Sequence, residues 1–244
     1  MSLFTGYELP FALPDLVGYA YRWDDARQVF VIDVPDGQLL YAEQFFDADF
    51  CARAMAFFLE NDEGLAWQTT DWRAFEQDAL GKVGFKNVAW RHDKITMFGK
   101  QVYQPRYAAW HGDKSYTYSG LTMQPSAWNK GLSYFKDKVE AASGATFNSV
   151  FLNWYRDGDD YAGWHADNEK MLGSNPVIGS LSFGAARRFL LRRTDNHQEK
   201  IEIPLKNGSF LVMSGALQHF WQHSVAKEKK VKHARFNLTF RSVI

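Results

Sequence analysis

Residues 234–241 read Ala-Arg-Phe-Asn-Leu-Thr-Phe-Arg, and the fold turns on this stretch. In a β-strand successive side chains point to opposite faces. Phe236, Leu238 and Phe240 therefore share one face, and Arg235, Asn237, Thr239 and Arg241 share the other. The apolar face packs against a core. A facing row with two arginines, in a strand flanked by apolar residues, is expensive to bury without an anion. A strand face turned to water would be richer in Thr, Lys and Glu. Arginine suits a carboxylate because its planar fork donates two parallel hydrogen bonds. Each bond to a charged group is worth roughly 1.5–3 kcal/mol.

Upstream of this stretch, short alternating runs recur at 149–155, 177–183, 188–192, 200–204 and 209–213, separated by Asp, Gly and Asn turns. Many short strands with turn signals predict a sandwich or barrel. Two helices precede them. Asp47 is a fair N-cap for the first, with Phe50, Ala54, Phe57 and Phe58 at core-facing spacing up to Asn61. The second spans 126–142, where Trp128, Leu132, Phe135 and Val139 recur at helical spacing before a natural stop at Gly144. Residues 1–38 read as an extended N-terminal arm with a short strand at 29–34. The chain is thus expected to be α+β with a mainly β core of jelly-roll (double-stranded β-helix) type. The arm covers 1–38, and a single domain covers 39–244.

The formal net charge is zero, from 28 basic and 28 acidic residues, so nucleic-acid binding must rest on local clusters. Two exist. Arg187, Arg188, Arg192 and Arg193 form the first, and Lys227, Lys229, Lys230, Lys232 and Arg235 form the second, against Glu228. The acids between Asp157 and Asp160 read as a solvated turn. A single cysteine, Cys51, rules out an internal disulfide and suits a reducing compartment, the cytoplasm or a nucleus. No basic region followed by an apolar run opens the chain, and no apolar run is long enough to span a membrane. The expectation is an unsecreted monomer away from the membrane.

Seven histidines are available, and the weak pattern His-x-Asp occurs twice, at His111–Asp113 and His165–Asp167. The first reads as a Trp-His-Gly-Asp turn. The second is followed by His223 and then by the arginine strand, and that order selects it. Two His and one Asp can occupy one face of an octahedral ion and leave positions for a co-substrate and O₂, the arrangement of non-heme Fe(II) oxygenases. An oxidative Fe(II) centre needs electrons. A 2-oxo dicarboxylic acid supplies them if one end chelates the metal and arginine fixes the other.

Several runs together resemble the AlkB family of nucleic-acid demethylases. They are Asn153-Trp-Tyr155-Arg-Asp-Gly, Gly163-Trp-His165-Ala-Asp167-Asn-Glu169, Ser180-Leu-Ser-Phe-Gly184, His223-Ser and Arg235-Phe-Asn-Leu-Thr-Phe-Arg241. The last is the most specific. Upstream, Met97-Phe98-Gly99-Lys100, Pro105-Arg106 and the run 116–122 extend the likeness to about residues 90–244. The resemblance implies Fe(II) bound by His165, Asp167 and His223. It implies 2-oxoglutarate held by Asn153, Tyr155, Arg235, Thr239 and Arg241, with Arg235 at the metal-proximal end and Arg241 on the distal carboxylate. Tyr118 and His165 would sandwich a flipped base, Tyr116 and Glu169 would contact it, and Phe98 would act as the wedge in an opened duplex. The activity implied is oxidative demethylation of N-alkylated bases in DNA, of the 1-methyladenine and 3-methylcytosine type. It would use 2-oxoglutarate and O₂ and release formaldehyde, succinate and CO₂. Physically, chemistry on a base edge takes the base out of the stack at a cost of a few kcal/mol, and stacking on aromatic faces returns about 1–3 kcal/mol. The alternatives are the same chemistry on RNA, protein or a small molecule, a non-catalytic jelly-roll binding module, and a His₂Asp zinc hydrolase, which leaves the arginine row without a task.

Overall fold

The computed structural model describes residues 7–75, 79–97, 99–118 and 120–244, with no side chain described for Met97 or Tyr118. The chain opens with strands β1 (Ala20–Asp24), β2 (Val29–Val34) and β3 (Gly37–Ala42), then helix α1 (Ala48–Phe58). Strands β4 (Lys94–Met97) and β5 (Lys100–Tyr103) form one hairpin. After β6 (Tyr107–Gly112), β7 (Tyr116–Tyr118) and β8 (Leu121–Met123) form another. Helix α2 (Lys130–Ser143) leads into β9 (Ser149–Tyr155), β10 (Ala162–His165), β11 (Ile178–Gly184) and β12 (Arg187–Arg193). Then come β13 (Lys200–Leu205), β14 (Ser209–Gly215), the short helix α3 (Leu217–Phe220), β15 (Trp221–Val225) and β16 (Arg235–Arg241).

Strand β16 lies inside an eight-stranded sheet of order β1-β2-β3-β14-β11-β16-β9-β6. It is antiparallel to both neighbours, with Asn237 opposite Ser182 on one side and Asn153 on the other. All seven of its residues are buried. Its apolar face, Phe236, Leu238 and Phe240, joins a core with Phe58 of α1, Leu132, Phe135 and Val139 of α2, and Phe183. The opposite face of the sheet meets a four-stranded sheet of order β10-β15-β12-β13. Between the sheets, Tyr155, Ile178, Leu191, Ile203, Leu211 and Trp221 build a second core. Two facing antiparallel sheets with helices on the outer face of the larger one make the expected jelly roll. The polar row of β16 therefore looks into protein and not into water.

Helix α1 starts as its cap predicts, with Asp47 Oδ1 accepting from Phe50 N at 2.7 Å. Helix α2 starts at Lys130 and not at 126, because Asn129 caps it through Leu132 N at 2.9 Å. It ends where Gly144 adopts a left-handed φ of 72°. The arm differs more. From Ala20 onward it is part of the large sheet, and β3 pairs with β14 so that Ala42 faces Phe210. The boundary drawn at residue 38 falls inside that hairpin. Before it, Leu9 is buried and Phe11 and Leu13 pack on the second core. Among the described residues no helix is long and apolar enough to cross a membrane.

The acids after β9 are a solvated turn only in part, since Asp159 is exposed but Asp157 is half-buried and Asp160 buried. Asp160 is only 2% exposed. Its Oδ2 accepts from Arg156 N at 2.9 Å and Arg156 Nε at 2.8 Å, and its Oδ1 accepts from Arg73 Nη1 at 2.8 Å. This loop lies flat against the segment before β16. Gly158 N donates to Val231 O, and a Cβ at Gly158 would stand 1.8 Å from Glu228 O, so only glycine fits. Burial pushes the Asp160 carboxyl up, but Arg156 and then Arg73 outweigh it and hold the group below its ordinary value. A depressed carboxyl stabilises the fold above its unfolded pKa, and that contribution is lost as pH falls through the folded value. Asp160→Asn leaves Arg156 without its carboxylate, while Arg73 keeps Asp157 and Asp159, and is expected to cost ~3 kcal/mol, the low end for breaking a buried pair. Urea unfolding at pH 7 checks this, and the difference from the unaltered protein should shrink in acid.

Candidate metal and co-substrate site

Strands β10 and β15 run antiparallel with His165 directly opposite His223, and the two rings lie 4.2 Å apart. Together with Asp167 they offer one ligand atom each, all within 4.8 Å of one another, and no other such group occurs among the described residues. Asp167 and His223 are buried and His165 is exposed. His165 Nδ1 donates to Gly163 O at 2.7 Å, which leaves the Nε2 lone pair free. Burial, reinforced by His165, pushes His223 down to about 3. Burial raises the Asp167 carboxyl, but Arg241, then His223 and His165, hold it at about 2. At neutral pH His223 is thus a neutral imidazole and Asp167 a carboxylate, the protonation states that bind a metal. Two imidazoles and one carboxylate gathered on one side of a pocket fit an Fe(II) ion with open positions.

The other His-x-Asp pair has no such setting. His111 is buried within β6, where a turn was expected, and its Nδ1 donates to Ala127 O at 2.9 Å. Asp113 Oδ1 accepts from Trp128 Nε1 at 3.1 Å.

Both arginines of β16 point into the same pocket as the three ligand residues. Arg235 is 1% exposed; its Nη2 donates to Ser182 Oγ at 2.9 Å, while Nε and Nη1 are buried without a partner. Burial lowers its guanidinium to about 10, with Tyr155 beside it opposing the fall, so it stays charged at neutral pH. The Tyr155 ring lies 5.1 Å away. Arg241 donates from Nη2 and Nε to Asp167 Oδ2 at 2.7 and 3.2 Å, and its Nη1 is also buried without a partner. A buried cation with unused donors costs several kcal/mol unless an anion completes it. A linear dicarboxylate does so, one carboxylate for each arginine.

The two ends are reversed relative to the sequence reading. Arg241, bonded to Asp167, is the arginine beside the His165, Asp167 and His223 cluster. Arg235 stands apart from it beside Tyr155 and Ser182. Alternation puts both on one face but says nothing of which end the ligand strand meets. That depends on where β10 releases the chain toward Asp167.

Asn153, Tyr155, Thr239, Tyr116 and Glu169 all line this pocket. Thr239 Oγ1 donates to Asn237 Oδ1 at 3.0 Å, and Asn237 Nδ2 donates to Ser180 Oγ at 2.8 Å, so the row is braced sideways between the arginines. Tyr116 is buried and stacks on Trp110 at 4.7 Å, a wall of the pocket and not a free platform. Burial pushes its hydroxyl well up, Arg241 opposing, and Glu169 is a hydrogen-bond partner. Phe98 and the Tyr118 ring lie outside the described residues.

Sequence reasoning missed Arg106, which also lines the pocket and donates from Nε to Asn153 Oδ1 at 2.6 Å. The run Pro105-Arg106 marked only a likeness, and Arg106 lies outside any strand period, so no role was read for it. Ser180 could have been found, since its spacing to Ser182 puts both on the face that meets β16. The arginine run 187–193 is not a free basic cluster. Arg187 is buried and donates to the carbonyls of Asp157, Asp160 and Ala226. Arg188 pairs with Glu202 and Glu228, Arg192 bonds Gln222 and lies 4.1 Å over the Trp164 ring, and Arg193 pairs with Asp36 and Asp195. Lys227, Lys229, Lys230 and Lys232 are exposed, as a solvated cluster should be.

Comparison with known proteins agrees with this geometry. The profile of the 2OG-Fe(II) oxygenase superfamily matches residues 68–241. Alpha-ketoglutarate-dependent dioxygenase alkB homolog 3 of Rattus norvegicus is 46% identical over 149 residues, 57% of this chain and 50% of that protein. DNA oxidative demethylase ALKBH2 of Mus musculus is 38% identical over 160 residues, 62% of this chain and 67% of that protein. The chain thus spans about half the length of the first of these relatives. A solved structure of OsALKBH1 shares the fold, with a TM-score of 0.51 and 17% identity over 84% of this chain and 96% of that one.

Replacing Arg235 by Met should remove a buried, incompletely paired charge. The variant is expected to be at least as stable as the parent without ligand, following the rule for buried ions replaced by apolar groups of similar size. It should also lose the rise in melting temperature that 2-oxoglutarate gives the metal-loaded parent. Differential scanning calorimetry with and without the dicarboxylate reads both.

Proposed function

The chain belongs to the 2OG-Fe(II) oxygenase superfamily, among its AlkB-like members, and from that premise we propose that it oxidatively demethylates N-alkylated bases in nucleic acid, DNA foremost. One observation carries the reading: two buried arginines with unused donors converge on the pocket that holds the His165, Asp167 and His223 cluster. Bound Fe(II), with 2-oxoglutarate and O₂, supplies the oxidising power, so that 2-oxoglutarate becomes succinate and CO₂ and the hydroxylated methyl group departs as formaldehyde.

The protein's own residues do the rest. His165, Asp167 and His223 hold the ion. Arg235 fixes the carboxylate remote from it, and Arg241 serves the near carboxylate with its free Nη1 while orienting Asp167 through the other two nitrogens. Asn153 and Tyr155 shape the wall between them. Tyr116 and Glu169 border the substrate side, with Glu169 Oε2 buried and lacking a partner, an acceptor ready for an exocyclic amine. Arg106 stands at the same wall. The exposed lysines between 227 and 232 offer charge to phosphates, which needs no net positive charge on the whole chain. A methylated base pairs poorly, so its extrusion is the least costly. A zinc hydrolase built on the same three ligands would give the free donors of Arg235 no anion to meet. The support for nucleic acid over protein or a small molecule is the demethylase relative, whose name specifies DNA. A cytoplasmic or nuclear monomer belongs to the same proposal, in keeping with the free, buried Cys51.

The test incubates anaerobically prepared Fe(II) protein with 2-oxoglutarate, O₂ and a 3-methylcytosine oligonucleotide, single- or double-stranded, and measures formaldehyde and succinate. Equal amounts of the two are expected, and none from His165→Ala. Succinate formed only with another substrate, without formaldehyde from either strand form or from RNA, would overturn the nucleic-acid reading.

A further inference from the structure

Gln218 is 1% exposed and sits on α3, a single helical turn joining β14 to β15. Burying a primary amide is unfavourable unless both of its ends are hydrogen-bonded, and here both are. Oε1 accepts the backbone N–H of Asp167 at 2.9 Å, and Nε2 donates to Met213 Sδ at 3.5 Å. Each contact reaches the site just described, since Asp167 is a ligand residue and Met213 lines the pocket.

The need for this amide comes from the local backbone. Strand β10 ends at His165, so the N–H of Asp167 has left the ladder and is buried without a strand partner. A buried N–H must find an acceptor, and Gln218 brings one from 51 residues away in sequence. Arg241 meanwhile places both of its bonds on Asp167 Oδ2. Asp167 is therefore gripped at its backbone by Gln218 and at one carboxylate oxygen by Arg241, which leaves Oδ1 to face an ion. The turn that carries Gln218 runs straight into β15 and His223, so one short segment fixes two of the three ligand residues.

We propose that Gln218 is a positioning residue: it sets where Asp167 presents its free oxygen to the metal, and through Met213 it ties that placement to the wall of the co-substrate pocket. The inference rests on reading the His165, Asp167 and His223 cluster as a metal site. Partners of this kind orient ligands, and their loss typically weakens metal affinity by about 10–100-fold.

The test titrates the metal-free full chain with Co(II) without oxygen and follows the visible absorption of the bound ion. The unaltered protein should take one equivalent. Gln218→Met matches the side chain in volume but offers the Asp167 N–H only a thioether, a far weaker acceptor than an amide oxygen. It should bind Co(II) about 10–100-fold more weakly, with a shifted absorption band that reports altered ligand geometry. Gln218→Glu keeps an acceptor oxygen at the same reach for the Asp167 N–H and should recover most of the affinity and the parental band. Parental affinity and spectrum in Gln218→Met would overturn the proposal. Should that variant fail to fold, Gln218→Asn decides, because its shorter side chain withdraws the acceptor; weak binding supports the proposal and parental binding overturns it. If the unaltered protein takes no Co(II), the metal-site reading itself fails, and this inference falls with it.

Discussion

Two guanidinium groups are buried between the sheets, and the rest of the structure is arranged around making that tolerable. Arg235 and Arg241 sit on a strand with no exposed residue, where an unpaired charge costs several kcal/mol. Asp167 answers one of them at 2.7 Å. In the same contact the arginine holds the aspartate carboxyl at about 2, the state a divalent ion requires. Arg235 has only a serine hydroxyl and the Tyr155 ring, and two of its donors are left for a ligand. The cation that would destabilise an empty interior is the same one that selects an acidic co-substrate.

The fold delivers this by geometry that is mostly ordinary. Phe236, Leu238 and Phe240 anchor β16 against the helices, so its alternate residues are forced toward the smaller sheet. That sheet brings His165 opposite His223 across a single strand pair. The two small hairpins β4–β5 and β7–β8 stand outside both sheets, and the second supplies Tyr116 to the pocket wall.

The chemistry of β16 was legible because its two faces differ in kind: three apolar residues on one side, two arginines with Asn and Thr on the other. The cluster of His165, Asp167 and His223 was legible only through its order before that strand, since His111–Asp113 has the same spacing. Strands covered on both faces were harder to read. Tyr107 to Gly112 is buried along its whole length, shows no alternation and was read as a turn, whereas β2, covered almost as fully, coincides with the short strand read at 29–34. The arginine run at 187–193 misled for the opposite reason. Four like charges look solvated until Glu228, Glu202 and Asp36 arrive from elsewhere in the chain, beside the local partner Asp195. Long-range pairing also hid the roles of Asp160 and Gln218, whose partners cannot be inferred from local pattern. The direction of the arginine pair was invisible because period two has no polarity along a strand.

The central claim is that the arginine row and the ligand cluster form one site for a metal and a dicarboxylate. A crystal structure of the chain grown without oxygen in the presence of Fe(II) and 2-oxoglutarate tests it most directly. The account predicts the ion on His165, Asp167 and His223, one carboxylate on the Nε and Nη1 of Arg235, and the other end beside Arg241. A dicarboxylate bound elsewhere, or an ion held without these three residues, would contradict it.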